Sequence, residues 1–439
     1  MIPAVTNVPD AAARLDCLPV SSFHRRTAAL LAYVFFFELG DLNSFAYAAP
    51  ALRREWHLSI GTIATITSAS FLGMFVGAMT AGALSDRIGR KRALMVTTLW
   101  YSTMSLFNAC AWSVPSLFAA RLLTGVGLSG MTVVAMTYIG EMFPSRVRGS
   151  YQAHILMIGL VGIPATAYVA RFLVPYSDWG WRGVFIWGSL ALLFPLVARR
   201  LEESPRWLER RGRAMDAEVV LTRIEREVEH ETGTLPPVQA PVAVVERRPG
   251  TSEGGTGDTG ITALMRSGYG GRAVLLISLW LCQTLGFYGF TTLQYASAIS
   301  IGAVPGAWIG SLIADRWERK RLIAIVAILV GTFGMIYGLS FNTWIIVIFG
   351  FLVAMSQQVF APLLYSYTAE CFPTTSRNTG AGLSYGIGRL GNVVGPLIVA
   401  FLFTMHGYRS VFAYIAACWL AVALLVTAFG PRMNTQTLA

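Results

Sequence analysis

Apolar stretches of about 20 residues recur along nearly the whole chain, and this recurrence limits the fold more than any other feature. About 20 apolar residues in helical form span the hydrocarbon layer of a bilayer. Segments near that length fall at about 27–52, 60–84, 93–112, 116–142, 151–174, 181–198, 272–293, 295–314, 322–340, 344–370, 379–404 and 408–429. With 54% hydrophobic and 13% charged residues in 439, the chain is too apolar for a soluble protein of its size. The expected class is an all-α integral membrane protein with about twelve transmembrane helices.

The net charge of +11 comes mostly from arginines in short loops between the apolar segments, which suits topology better than a nucleic-acid surface. Basic residues cluster after spans 2, 4, 6, 8 and 10, so both termini are expected in the cytoplasm by the positive-inside rule. The N-terminal stretch lacks an apolar signal core and a small-residue cleavage site. Five scattered cysteines without C-x-x-C spacing predict neither a disulfide framework nor a metal site. No P-loop occurs, so direct ATP coupling is not expected. Neither a cofactor nor an enzymatic activity is read.

A basic DR-x-x-RKR loop appears twice. Asp86, Arg92, Glu141, Phe143, Pro144 and Arg148 are matched by Asp315, Arg321, Glu370, Phe372, Pro373 and Arg377 at one offset of about 229 residues. Six identities in one register imply two pseudo-symmetric six-helix bundles. The expected organisation is a cytoplasmic tail 1–26, a first bundle 27–198, a cytoplasmic connector 199–271, a second bundle 272–429 and a tail 430–439. One discrepancy stands out. About 59 residues separate the start of span 1 from Asp86, but only about 43 separate the start of span 7 from Asp315, so the region of spans 7 and 8 is unusually short.

The run Gly82, Asp86, Arg87, Gly89, Arg90, Lys91, Arg92 resembles the loop between spans 2 and 3 of the major facilitator superfamily. Arg121, Gly125 and Gly127 resemble its span-4 motif. Glu141, Phe143, Pro144, Arg148 and the connector run Glu202, Glu203, Ser204, Pro205, Arg206, Trp207 resemble the branch holding sugar porters and synaptic-vesicle-2-like proteins. Tyr367, Glu370, Pro373 and Gly386, Gly388, Arg389, Gly391, Asn392 look most like bacterial nicotinate and aromatic-acid carriers. The resemblance implies a monomeric inner-membrane transporter working by alternating access. In the second signature loop Glu318 replaces Gly89, and Ser311 replaces Gly82, which puts tight closure of that loop in question.

Charges within spans are costly, so each is a functional candidate. Glu38 and Asp41 share one face of span 1, about 16 Å from its ends, and have the character of proton-coupling groups. Arg121 in span 4 is placed to reach Asp41, and the resemblance implies that such an arginine pairs with the acid; the alternative is a static ion pair. Arg389, about 15 Å into span 11 with Asn392 one turn on, suits a substrate carboxylate, or neutralises a carboxylate of the protein. Gln283, Tyr288, Gln357, Gln358 and Tyr385 are candidates to line a cavity. Asp86, Arg87, Gly89, Arg90, Glu141, Arg148 and Arg206, with Asp315, Arg316, Arg319, Glu370 and Arg377, form a candidate cytoplasmic gate. The functional expectation is proton-coupled uptake of a small organic anion, nicotinate-like or an aromatic carboxylate, with protons and the lipid bilayer as further partners. The alternatives are proton-antiport efflux, sugar or polyol transport, and a non-transporting sensor on the same fold.

Overall fold

The structure is a computed structural model, and it describes residues 10–237, 269–286, 296–313, 318–372 and 377–431. Its regular elements are helical throughout the described residues. A short helix α1 (Ala11–Cys17) precedes α2 (Ser22–Glu55), α3 (Ile60–Ile88), α4 (Arg90–Ala109) and α5 (Val114–Met142). The fifth span is α6 (Ser145–Leu160) continued by α7 (Gly162–Tyr176). The sixth runs through α8 (Gly180–Gly188), a 3-10 turn (Ser189–Leu193) and α9 (Phe194–Ala198). The connector supplies α10 (Pro205–Arg210) and α11 (Ala214–Thr232). The second half holds α12 (Gly270–Leu285), α13 (Ala296–Ser300), α14 (Ala303–Ile313), α15 (Arg319–Leu339), α16 (Thr343–Glu370), α17 (Arg377–His406) and α18 (Tyr408–Phe429).

Among the described residues nine helical segments are long and apolar enough to cross a membrane. Three further segments complete the set of twelve. One is α4, weakened in hydropathy by its polar residues; the others are the shorter apolar helices over 270–285 and 298–310. At 1.5 Å per residue, α12 is about 24 Å long, against about 30 Å for the hydrocarbon layer. The stretch found short in the sequence includes residues 287–295, Tyr288 among them, which lie outside the described residues, as do Asp315, Arg316 and the side chain of Arg377.

Starts and stops follow local chemistry. Ser59 Oγ accepts from the Thr62 amide at 3.0 Å, and Asn342 Oδ1 accepts from the amides of Trp344 and Ile345, so each caps a span where its first amides lack helical partners. Gly89, at φ +100°, breaks α3 from α4. Glu318, at the matching place, holds φ −59°, so the two signature loops do not share this turn.

The duplication extends to the closest helix contacts. A Cβ at Gly73 would lie 1.9 Å from the Leu122 carbonyl oxygen, and one at Gly77 would lie 2.1 Å from that of Val126. In the second half Gly302 and Gly306 stand at the same distance along the chain. Their added Cβ atoms would lie 2.5 Å from the Phe351 oxygen and 2.2 Å from the Met355 oxygen. Absent side chains let α3 approach α5, and α14 approach α16, backbone to backbone, the usual device where lipid supplies no hydrophobic drive between helices. Apolar cores fill each half, one around Tyr138 and Phe194, another around Trp181, and a third around Trp280 and Trp419. The halves meet where α17 packs along α3, α13 against α7, and α14 against α6.

On the polar face the N-terminal tail docks onto the connector. Glu209 accepts from the Ala11 amide with both oxygens, Arg14 pairs with Glu218 and Glu225, and Asp16 accepts from the Ser145 amide and from Arg206. Burial, reinforced by a hydrogen bond with Asp10, raises the Glu209 carboxyl to about 7, and the same bond holds Asp10 below its ordinary range. A raised carboxyl stabilises the docked tail fully below its ordinary value near 4.5 and loses that contribution as pH rises through about 7. Asp10 acts oppositely, but only at lower pH, since its contribution is lost on falling through a point below 3.8.

Two outcomes are expected. Gly77→Ala and Gly306→Ala should each lower stability by about 1–3 kcal/mol in detergent unfolding, as overpacking does; unchanged unfolding would show that the helices yield freely. Hydrogen exchange in α1, corrected for intrinsic rates, should quicken between about pH 4.5 and 7, and Glu209→Gln should remove the change.

Candidate functional site

A cavity of about 600 Å³ lies between the halves. Its wall is mostly apolar, from Leu39, Leu42, Phe45 and Tyr47 of α2, Met157 and Ile163 of the fifth span, and Val353 and Ala354 of α16. Polar groups enter as Asn43, Thr67, Ser70, Ser300, Gln357, Gln358 and Tyr365. Arg121 is the one charged residue in this wall among the described residues. Of the expected lining groups, Gln357 and Gln358 are in it, whereas Gln283, Tyr385, Arg389 and Asn392 are not among its lining residues. The Gln357 amide nitrogen is buried without a hydrogen-bond partner among the described residues.

Asp41 is fully buried, and Glu38 and Arg121 nearly so. Asp41 Oδ1 accepts from Ser105 Oγ of α4 at 2.6 Å and from Ser44 Oγ at 3.3 Å. Arg121 Nη1 stands 3.8 Å from Asp41 Oδ2, an ion pair too long for a hydrogen bond, and Oδ2 has no hydrogen-bond partner among the described residues. Other groups hold the guanidinium as well. Its Nε donates to Ser70 Oγ at 2.9 Å, and it lies 5.7 Å from the Phe45 ring and 6.0 Å from that of Phe185. Gly188 of α8 makes room for the acid, since a Cβ there would lie 2.3 Å from Asp41 Oδ1.

Glu38 Oε1 accepts from Thr132 Oγ1 at 3.0 Å, its second oxygen is buried and unbonded, and Arg389 of the other half acts on it electrostatically. The Arg389 guanidinium stacks 4.8 Å from the Tyr385 ring and donates to the Tyr385 hydroxyl. Tyr385 in turn meets Trp280 and the cavity residue Tyr365, at ring distances of 5.0 and 5.4 Å. Arg389 thus connects to the cavity residue Tyr365 through Tyr385. Sequence reasoning passed over Ser44, Ser70, Ser105, Trp280 and Tyr365. The signal available for Ser44 was its place three residues after Asp41 on one helix face; the rest depend on tertiary placement.

The charges of the two signature loops and the connector form a second group. Arg90 Nε and Nη2 each donate to Glu141 at 3.0 Å, and Nη1 reaches the Ser85 carbonyl at 3.0 Å and Asp86 at 2.9 Å. The connector closes over them. Glu203 Oε1 accepts from the Arg90 and Lys91 amides, capping α4; Ser204 Oγ donates to Glu141, and Trp207 Nε1 donates to the Asp86 carbonyl. Gly89 permits this, because a Cβ there would meet Glu203. Arg206 and Arg148 face Asp16 at 3.0 and 3.6 Å, while the Arg87 side chain is exposed. In the second half Arg319 pairs with Glu370. Each of these pairs joins segments of a single half.

Comparison with known proteins agrees with this arrangement. The sequence profile of the Major Facilitator Superfamily matches residues 31–299 and again 259–438. A Bacillus subtilis protein named as a metabolite transport protein, YyaJ, is 43% identical over 443 residues, 97% of this chain and 96% of that one. The niacin transporter NiaP of Acinetobacter baylyi is 26% identical, covering 98% and 99% of the two chains. The 4-hydroxybenzoate transporter PcaK of Pseudomonas aeruginosa is 28% identical, covering 97% and 96%. Among solved structures, the partially occluded inward-open xylose transporter XylE of Escherichia coli superposes with a TM-score of 0.75 at 18% identity, over 95% of this chain and all of that one. At that identity the likeness concerns the fold.

Removing one partner of the buried Arg90–Glu141 pair strands a charge. Arg90→Met should therefore destabilise by about 3–5 kcal/mol, and Glu141→Leu in the same chain should recover part of the loss. A double-mutant cycle on detergent unfolding measures the coupling, and additive losses would show that the two act independently.

Proposed function

The chain belongs to the major facilitator superfamily, and on that footing we propose that it takes up a small organic anion together with protons by alternating access of the two halves. One observation carries the reading: a largely apolar cavity whose wall, among the described residues, holds a single charged one, a cation, with a buried carboxylate beside it. A cavity of this kind suits a substrate with a ring and one negative group. Relatives named for niacin and 4-hydroxybenzoate transport support an aromatic carboxylate. Asp41 is the proposed proton carrier and Glu38 a second acid in its field. Arg389 and Asn392 are proposed to meet the substrate when the halves close, through Tyr365 and Tyr385. The proposed location is the bacterial inner membrane with both termini cytoplasmic, on the arginine distribution of the loops.

The Arg90 and Arg319 clusters are proposed as the cytoplasmic gate. Pairs held inside each half leave the halves free to separate at that end while each bundle keeps its shape.

Uptake of labelled nicotinate or benzoate into proteoliposomes should rise with an inward proton gradient, and a flat response would remove proton coupling. Asp41→Asn should abolish accumulation against a gradient and leave counterflow exchange. Accumulation that survives the substitution would assign the proton to another group.

A further inference from the structure

We propose that Arg121 binds the carboxylate of the substrate, and that this carboxylate and that of Asp41 occupy the guanidinium alternately, so that protonation of Asp41 clears the site for the anion. The inference rests on the organic-anion reading above and adds the residue that holds the anion and the reason one proton travels with it.

Four observations converge on Arg121. Among the described residues it is the one charged residue in the cavity wall. Groups other than Asp41, namely Ser70, Phe45 and Phe185, hold it, and Ser44, which also bonds the acid, accepts from its Nη1 at 3.5 Å. Its contact with Asp41 is loose at 3.8 Å, and the nearer acid oxygen has no hydrogen bond among the described residues, while the other is taken by Ser105 and Ser44. Across the cavity, the unpartnered Gln357 amide supplies a second donor. The repeat adds a further point: the position matching Arg121 at the common offset is Gly350, which lines the same cavity, so one half alone carries the cation.

The electrostatics then permit two of four states. With Asp41 ionised and no substrate, the Arg121 charge is compensated. With Asp41 protonated and the anion bound, it is compensated again. Anion and ionised Asp41 together leave an excess negative charge, and a protonated Asp41 without anion leaves a lone buried guanidinium; both carry a desolvation penalty. One proton enters on Asp41 with each anion and leaves with it on the other side, and no bond is made or broken apart from that proton transfer. The titratable and charged groups around Asp41 are Glu38 on its own helix, Tyr101 of α4 and Arg121 of α5, with Arg389 acting on Glu38. From α8 the Phe185 and Gly188 backbone faces it, without a titratable side chain among the described residues.

The test is equilibrium binding of labelled benzoate and nicotinate to the purified full chain between about pH 5.5 and 8.5. In the wild type, affinity should fall by about tenfold per pH unit above the titration of Asp41. Asp41→Asn should bind at the alkaline end as tightly as the wild type does at the acid end, with a flat profile. Arg121→Gln should lose about 100-fold or more, on the scale of a charge-assisted pair. Arg121→Lys should keep part of the affinity and the wild-type slope. Benzoate should also raise the unfolding temperature of Asp41→Asn at alkaline pH more than that of the wild type, which reports binding without transport. An Asp41→Asn protein that remains pH-dependent, or an Arg121→Gln protein that binds like the wild type, overturns the inference and leaves the organic-anion reading in place. A wild type that binds neither probe at the acid end overturns both.

Discussion

Hydrocarbon offers no hydrogen bonds, and every part of this molecule is arranged around that fact. Backbone groups are satisfied within helices, and helices draw together where glycine removes the side chain between them. The few ionised groups left inside must then hold one another. Asp41 and Arg121 do so through serine hydroxyls and aromatic rings, with their own contact left slack. A tight bidentate pair at that place would be a structural rivet. The slack pair has alternatives, and alternatives are what a transport cycle requires.

The charges around Arg90 are built in the opposite manner. Arg90 is clasped by Glu141, Asp86 and a backbone carbonyl, and the connector covers the cluster with Glu203, Ser204 and Trp207. Where Asp41 and Arg121 keep a loose contact, Arg90 is held through every nitrogen of its guanidinium. The contrast is one of geometry: a long contact between Asp41 and Arg121, and a close, multiply bonded one between Arg90 and Glu141.

Much of the fold could be read in advance, because apolar length and arginine placement report directly on spans and loops. The register between Asp86 and Asp315 predicted the duplication, and the glycine contacts at Gly73, Gly77, Gly302 and Gly306 repeat it in three dimensions. The site was less legible. Charged residues such as Asp41 and Arg121 announce themselves in an apolar segment, but Ser70, Ser105 and Tyr365 are ordinary in any span, and only packing reveals which of them face the acid or the cavity. The depth of Arg389 can be counted along its helix, whereas its contact with Tyr385 cannot be read from the sequence. The docked N-terminal tail escaped for a similar reason: Asp16 and Glu209 are plain surface acids until α10 and α11 bring them together with their partners.

The cap on α4 also orders events in the making of the protein. Arg90 and Lys91 offer their amides to Glu203, a residue more than a hundred positions further along the chain. A chain synthesised from its N-terminus inserts the third span long before that carboxylate exists, so the start of the span waits in water at the membrane surface. The first bundle is completed only when the connector emerges behind the sixth span, and its arrival closes one half of the protein before the other half has begun to insert.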